Sequence, residues 1–484
     1  MNVAKGHQRI DGVVPGVRSR GAPVPALTAA EMEVFDPATG SVVATVAGGG
    51  KRDAARAADA ASDALAGWSA TPPARRAEAL QCVAGALRDG AEELAQLVTI
   101  ETGKRIAEAR AEVSFSAEFF EWFAAAGSSL AGEVWEARPG TTHFVAAQPL
   151  GVVAVVTPWN FPVSIPARKL APALAAGCTT LFKPSEAAPL SGLRLAELIE
   201  EAVPPGVVET VVGPSEEVAG VWFADRRVRG LSFTGSTRVG AAIASQVAGR
   251  FVRTVLELGG CAPFVVLDDA DLDAAAGCVA AAKLRNNGQS CIAANTLYAP
   301  RRLVPDLVGR LEALCASTVV GDPLDEATGL GPTCLASDPS RLAALVDDAA
   351  GRGAKVLAPS AVPAEGFFVG PTLCVQPGAD ARMVNEEVFG PVLPVVAYDN
   401  VDEAVETANR SPYGLAAYVF GGDLDAARRI AARLDVGLVG VNTASPNTPQ
   451  VPFSPRRDSG LGVEGGRAGL EEFVAYQTVA VTGS

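Results

Sequence analysis

"GVVAVVTPW" (151–159) runs from a glycine through unbroken small and β-branched apolar residues and stops at Thr157-Pro158. A strand buried on both faces reads this way, because neither face needs polar residues in alternation. The helical stretch "PARKLAPALAAG" (166–177) follows, and the couplet then repeats. "TTLFKPS" (179–185) precedes "SGLRLAELIEEA", "GVVETVVG" (206–213) precedes "SEEVAGVWFA", and "VRGLSFTG" (228–235) precedes "STRVGAAIASQVAG". "FVRTVLELGG" (251–260) ends the series, and "APFVVLDD" (262–269) restarts it with a helix expected over 271–286. Strands alternating with helices in this rhythm build a parallel, doubly wound sheet. The fold class read here is therefore α/β, with two such units.

Upstream, residues 51–68, 72–98 and 105–127 carry helical apolar spacing, the second opened by Pro72-Pro73. "EVWEARPGTTHFVAAQPLG" (133–151) switches to β character, with Pro139-Gly140 as the hairpin turn.

The chain has 484 residues, long enough for two or three large cores. Its net charge of -14, with no Lys/Arg stripe to offset it, argues against a nucleic-acid partner. No apolar run is long enough for a membrane span, and "MNVAKGHQRIDG" lacks the apolar core of a signal peptide. The eight cysteines are scattered without CxxC spacing, so reduced thiols in a cytoplasm are expected. With two histidines and no Cys/His cluster, no metal site is expected.

"KLRNNGQSCIAANTLYAP" (283–300) sets one cysteine, Cys291, between a glycine-containing turn and a strand-like run. A lone cysteine is more often small apolar filler than a nucleophile. A catalytic thiol usually works with a histidine, and only His7 and His143 are available. Context decides between the two readings.

Seven motifs supply that context in order: "TPWNFP" (157–162), "KPSE" (183–186), "FTGST" (233–237), "LELGG" (256–260), "GQSC" (288–291), "EEVFGP" (386–391) and "GVN" (440–442). Together they resemble the aldehyde dehydrogenase superfamily, over nearly the whole chain. The resemblance implies two Rossmann-like α/β domains plus a small β oligomerisation flap. The implied boundaries are 1–127 with 150–257 for the NAD-binding domain, 258–455 for the catalytic domain, and 128–149 with 456–484 for the oligomerisation segment. It also implies a homodimer or homotetramer, since unpaired edge strands would be sticky in water.

The resemblance assigns chemistry residue by residue. Cys291 is the nucleophile, and the Asn160 side-chain amide with the Cys291 backbone N–H receives the oxyanion of the thiohemiacetal. Glu257 is the base for the water that hydrolyses the thioester, so a carboxylate takes the place of a histidine. NAD is the implied cofactor, with NADP possible. Its contacts are implied at Trp159, Lys183, Ser185, Glu186, Gly213, Phe233, Thr234, Gly235, Ser236, Val239, Leu258, Gly259, Glu387 and Phe389. A carboxylate at Glu186 would repel a 2′-phosphate, which favours NAD.

For the substrate, Arg168 and Arg285 resemble the carboxylate-binding arginines of succinate-semialdehyde dehydrogenases, with Asn447 where those have Ser. A short carboxylated semialdehyde, such as succinic semialdehyde, is the expected small-molecule partner. "IPARK" and "RRDSG" also resemble lactaldehyde/glycolaldehyde dehydrogenases, which keeps that class and broader aliphatic aldehydes open. A CoA-acylating enzyme would usually lack Glu257, and a non-enzymatic structural relative would have no use for intact Cys291, Glu257 and Asn160. "PFSPRRDSG" (452–460) departs from the common "PFGGxKxSG", losing both glycines and replacing Lys with Arg457.

Overall fold

The computed structural model describes residue 7, residues 9–28 and residues 30–482. The opening stretch becomes the strand Val152–Val156, buried along its whole length. It lies in an eight-stranded sheet ordered Gly460–Leu461, Arg253–Glu257, Val228–Thr234, Val152–Val156, Thr179–Lys183, Val208–Val211, Val17–Ser19 and Ala22–Pro23. The five central strands run parallel and the outer ones antiparallel. Val152–Val156 is flanked by the strand next in sequence on one side and by Val228–Thr234 on the other. That reversal opens a crevice at the carboxyl ends of the two flanking strands, where doubly wound sheets bind ligands.

A seven-stranded second sheet is ordered Lys355–Leu357, Thr372–Val375, Val392–Tyr398, Ala294–Pro300, Ala262–Val266, Ala416–Phe420 and Leu438–Val441. It is parallel except at Lys355–Leu357. Leu258–Cys261 link Arg253–Glu257 to Ala262–Val266, so this link carries the chain from the carboxyl edge of the first sheet to the amino edge of the second. Separate apolar cores back the two sheets. A third sheet is the hairpin Glu133–Arg138 and Thr141–Pro149, with Val474–Thr482 added antiparallel.

Three local readings needed correction. The helix expected over 72–98 is two helices, Pro73–Asp89 and Ala91–Thr102, separated at Gly90, where glycine's conformational entropy weakens a helix interior. The helix expected to reach 286 ends at Leu284, because Asn286 and Asn287 are left-handed with φ 53° and 55°. The strands Val13–Pro15, Ala30–Phe35 and Val42–Gly48, which form a small sheet of their own, were not anticipated. We propose the expected domain division with one adjustment. Gly460–Leu461 joins the first sheet, and Leu470 and Phe473 enter its core, so only Val474–Thr482 goes with the hairpin.

Candidate active site

Two cavities meet between the sheets, and Cys291 and Thr234 line both. The first, about 350 Å³, lies at the crevice of the first sheet. Pro158, Trp159 and Asn160 reach it from the end of Val152–Val156, and Gly235 and Ser236 from the end of Val228–Thr234. The second, about 470 Å³, is lined by Glu257, Arg168, Arg285 and Asn447, with Phe115, Phe161 and Phe453 as apolar walls. Cys291 and Glu257, brought from separate sheets, therefore face one space.

The loop that presents Cys291 is tied down by the side chains of Asn286, Asn287 and Gln289. Asn286 Nδ2 donates to the carbonyls of Asn160 (2.8 Å) and Gln289 (2.9 Å). Asn287 Nδ2 donates to the carbonyls of Gly103 and Pro332, and Gln289 Oε1 accepts from the Cys334 N–H. Gly288 sits at φ +74°, and a Cβ there would lie 2.2 Å from the Gly390 carbonyl oxygen. Non-glycine residues adopt left-handed backbone at a cost, and asparagine tolerates it best. The strain at Asn286 and Asn287 is thus offset by their side-chain bonds. Asn160 Nδ2 donates to the Gln289 carbonyl at 3.0 Å. That bond uses one of its two N–H groups and leaves the other free on a residue that lines the cavity.

Electrostatics set the resting state. Burial, together with the nearby Glu257 carboxylate, pushes the Cys291 thiol up to about 12, with Arg168 acting in the opposite direction. The thiol is thus protonated at neutral pH and needs a proton acceptor. Burial and then Glu464 push Glu257 well above the usual carboxylate range, with Lys169 and Arg168 opposing. Neither carboxyl oxygen of Glu257 has a hydrogen-bond partner among the described residues. Neither histidine lines either cavity. His7 bonds Asp36 and Asp322, and His143 lies on the hairpin strand Thr141–Pro149.

The remaining expected residues spread along the carboxyl edge of the first sheet. Ser236 caps the helix Thr237–Val247 by accepting from the Val239 N–H. Leu258 packs against Gly240, and the Phe233 ring packs against Gly235. On the far side of Val152–Val156, at the end of Thr179–Lys183, Lys183 donates to Glu186 at 2.9 Å, and Ser185 Oγ accepts from the Ala187 N–H. Gly213 follows the strand after that. Lys183, Ser185, Glu186, Gly213, Phe233 and Val239 do not line the first cavity itself. Lys183, Ser185, Glu186 and Gly213 lie at or just past the carboxyl ends of Thr179–Lys183 and Val208–Val211, while Phe233 and Val239 flank the cavity-lining Thr234, Gly235 and Ser236.

Opposite, Glu387 accepts from the Gly260 N–H at 3.0 Å, and burial raises its carboxyl to about 7. Its neighbour Glu386 is the solvated one, paired with Arg382. Phe389 stands edge-on to Trp159, 5.7 Å between ring centres, and is left-handed at φ 45°. Arg341 grips the carbonyls of Val388 and Phe389 and so fixes that conformation. A dinucleotide fits this edge. Gly259 leaves a hollow where a Cβ would approach Glu387 Oε2 to 3.0 Å. The helix amino end beside Ser236 suits a pyrophosphate.

Arg168 is held in a partial ion pair, 3.7 Å from Glu464, between the rings of Phe119 (5.3 Å) and Phe453 (4.6 Å). Its buried Nε has no partner among the described residues. Arg285 Nη1 reaches Ser445 Oγ at 3.4 Å. Glu464, which also pairs with Lys169, was missed by sequence reasoning, as were Asp338 and Arg341 of the first cavity. In the atypical segment, Arg457 is left-handed (φ 53°) and donates to the carbonyls of Asn409, Ser411 and Asp435. It is an anchor for the chain and lines neither cavity.

Comparison with known proteins agrees with this geometry. The aldehyde dehydrogenase family matches residues 25–479. A glutarate-semialdehyde dehydrogenase of Pseudomonas putida is 37% identical over 93% of this chain and 94% of its own. An NADP(+) succinate-semialdehyde dehydrogenase of Escherichia coli is 37% identical over the same shares. The crystal structure of succinate-semialdehyde dehydrogenase from Burkholderia pseudomallei superposes with a TM-score of 0.94 at 37% identity, covering 96% of this chain and 98% of the other. By a match that spans both sheets and every motif around Cys291, the chain belongs to the aldehyde dehydrogenase family.

Proposed function

We infer that the protein oxidises a short aldehyde bearing a carboxylate, of the succinic or glutaric semialdehyde class, to the carboxylic acid. One observation carries this reading: a thiol stands where a cavity fit for a dinucleotide meets a cavity holding an unpaired carboxyl and two arginines. The dehydrogenase relatives named for glutarate and succinate semialdehyde support the substrate class. The cofactor is NAD or NADP, which when bound takes the hydride from the carbonyl carbon. Trp159, Ser236, Glu387 and Phe389 would hold its reactive half and Lys183 with Glu186 its far ribose. The Glu186 carboxylate favours NAD.

Cys291 passes its proton to water in the cavity, which carries it to bulk solvent, and the thiolate attacks the aldehyde carbon, while the free N–H of Asn160 and the Cys291 backbone N–H receive the resulting oxyanion. After oxidation the acyl group remains on sulfur as a thioester. Glu257 then takes a proton from water, whose oxygen attacks the acyl carbon and releases Cys291 and the acid. Arg168 and Arg285 hold the substrate's own carboxylate, and Asn447 offers an amide beside them.

The test is cofactor-linked turnover of succinic, glutaric and malonic semialdehydes, lactaldehyde, glycolaldehyde and butanal. Faster turnover of the carboxylated aldehydes is expected, and equal kcat/KM for butanal and succinic semialdehyde would defeat the substrate assignment. We further propose a homo-oligomer built through the third sheet. A cytoplasmic setting suits eight cysteines that are all unpaired. Among the described residues no helix is long and apolar enough to cross a membrane.

A further inference from the structure

The turn between the helices Ala91–Thr102 and Ile106–Ser128, with the first turns of the second helix, touches both loops that supply the oxyanion donors. Lys104 and Glu112 form an ion pair with side chains only 1% and 2% exposed. Lys104 Nζ also donates to the Asn160 carbonyl at 3.0 Å and sits 4.1 Å from the centre of the Phe161 ring. The other oxygen of Glu112 accepts from the N–H groups of Val163 and Ser164, each at 3.0 Å. On the cysteine side, the Asn286 N–H donates to Glu108 at 2.9 Å, and Asn287 Nδ2 donates to the Gly103 carbonyl at 3.0 Å.

A buried ion pair is a poor source of stability, because apolar residues of similar volume often do as well. What this pair does have is geometry. It grips the backbone of Asn160 and of the two residues that open the next helix, while its own segment grips the loop of Cys291.

We propose that Lys104 and Glu112 are positioning residues that, beside the direct bonds from Asn160 to the Gln289 carbonyl and from Asn286 to the Asn160 carbonyl, hold the separation between the Asn160 amide and the Cys291 backbone N–H. The proposal rests on the oxidation described above. Donors to an oxyanion act only at the right distance, so a small displacement of one loop weakens both at the transition state. Simple alkylation of Cys291 forms no oxyanion and is blind to that distance.

The experiment compares kcat for succinic semialdehyde with the rate of Cys291 alkylation by iodoacetamide, in the wild type and in Lys104→Met/Glu112→Gln. The double substitution leaves no unpaired charge, and the Gln oxygen still accepts from Val163 and Ser164. We expect kcat to fall by about 100-fold or more with alkylation within about threefold of wild type. Unchanged kcat overturns the proposal, as does an equal fall in both rates, which would mean that the whole loop had loosened. If the double variant does not fold, Glu112→Asp keeps both charges and withdraws the carboxylate by one methylene. Its kcat must then fall about tenfold at unchanged alkylation, and wild-type kcat overturns the proposal. A wild-type protein that oxidises no aldehyde removes the activity reading itself, before any variant is compared.

Discussion

Glu257 and Cys291 line the same cavity, and the Glu257 carboxyl has no hydrogen-bond partner among the described residues. A buried, unpaired carboxyl is costly, and such groups persist where a ligand or a reacting water completes them.

Glu257→Gln keeps the shape and removes the base. Steady-state turnover should fall by about 10²–10⁴-fold, while stopped flow still shows one equivalent of reduced cofactor per site as the thioester accumulates. Undiminished turnover would mean that another group activates the water. The same change bears on stability. Because the fold raises the Glu257 pKa, deprotonation is penalised in the native state, and stability is lost as pH rises above the unfolded value. The Tm advantage of the Gln variant should therefore grow from pH 5 to pH 8 in a thermal melt.

The cofactor-free thiol gives a second pH signature. With Cys291 pushed up to about 12, its thiolate fraction rises about tenfold per pH unit through the accessible range. Alkylation by iodoacetamide should climb from pH 7 to pH 9 without levelling. Arg168→Met removes a cation that favours the thiolate, so alkylation should be slower at each pH. A plateau near pH 7 in the wild type would contradict this account.

Arg285 reaches the second cavity with its guanidinium engaged, among the described residues, only by Ser445, at 3.4 Å. A charged hydrogen bond contributes about 1.5–3 kcal/mol, so Arg285→Met should lower kcat/KM for succinic semialdehyde by about 10- to 100-fold. Butanal has no carboxylate to lose and should react as before. An equal loss on both substrates would point to a disturbed cysteine loop.

Legibility in the sequence followed range. The repeated apolar runs over 151–260 are local patterns, and they became the five parallel strands of the first sheet. Val13–Pro15 and Ala22–Pro23 are short and end at proline, so no periodicity betrays them. Cys291, Glu257 and Asn160 stand in compact motifs that resemble a known family. Glu464, Arg341 and Phe115 come from distant segments and reach the cavities only through packing. Glu464 lies in "GVEGG", beside the backbone bridge between Phe453 and Glu464 that sets both around Arg168. Only the tertiary structure reveals that arrangement.

The third sheet makes the last prediction. Its pairing aligns Val134 with Phe144 and Phe144 with Val479, so three apolar side chains stand in a row across three strands. They are 66%, 46% and 49% exposed, on strands that have almost no buried residues. A contiguous apolar row on a sheet with open edges is costly in water and marks an interaction surface. A second copy of the chain would cover it. Multi-angle light scattering at micromolar concentration should therefore give a dimer or tetramer. Phe144→Glu places a charge at the centre of the row and should shift the mass toward the monomer, with the far-ultraviolet spectrum unchanged. A wild type that scatters as a monomer would remove the third sheet from the assembly.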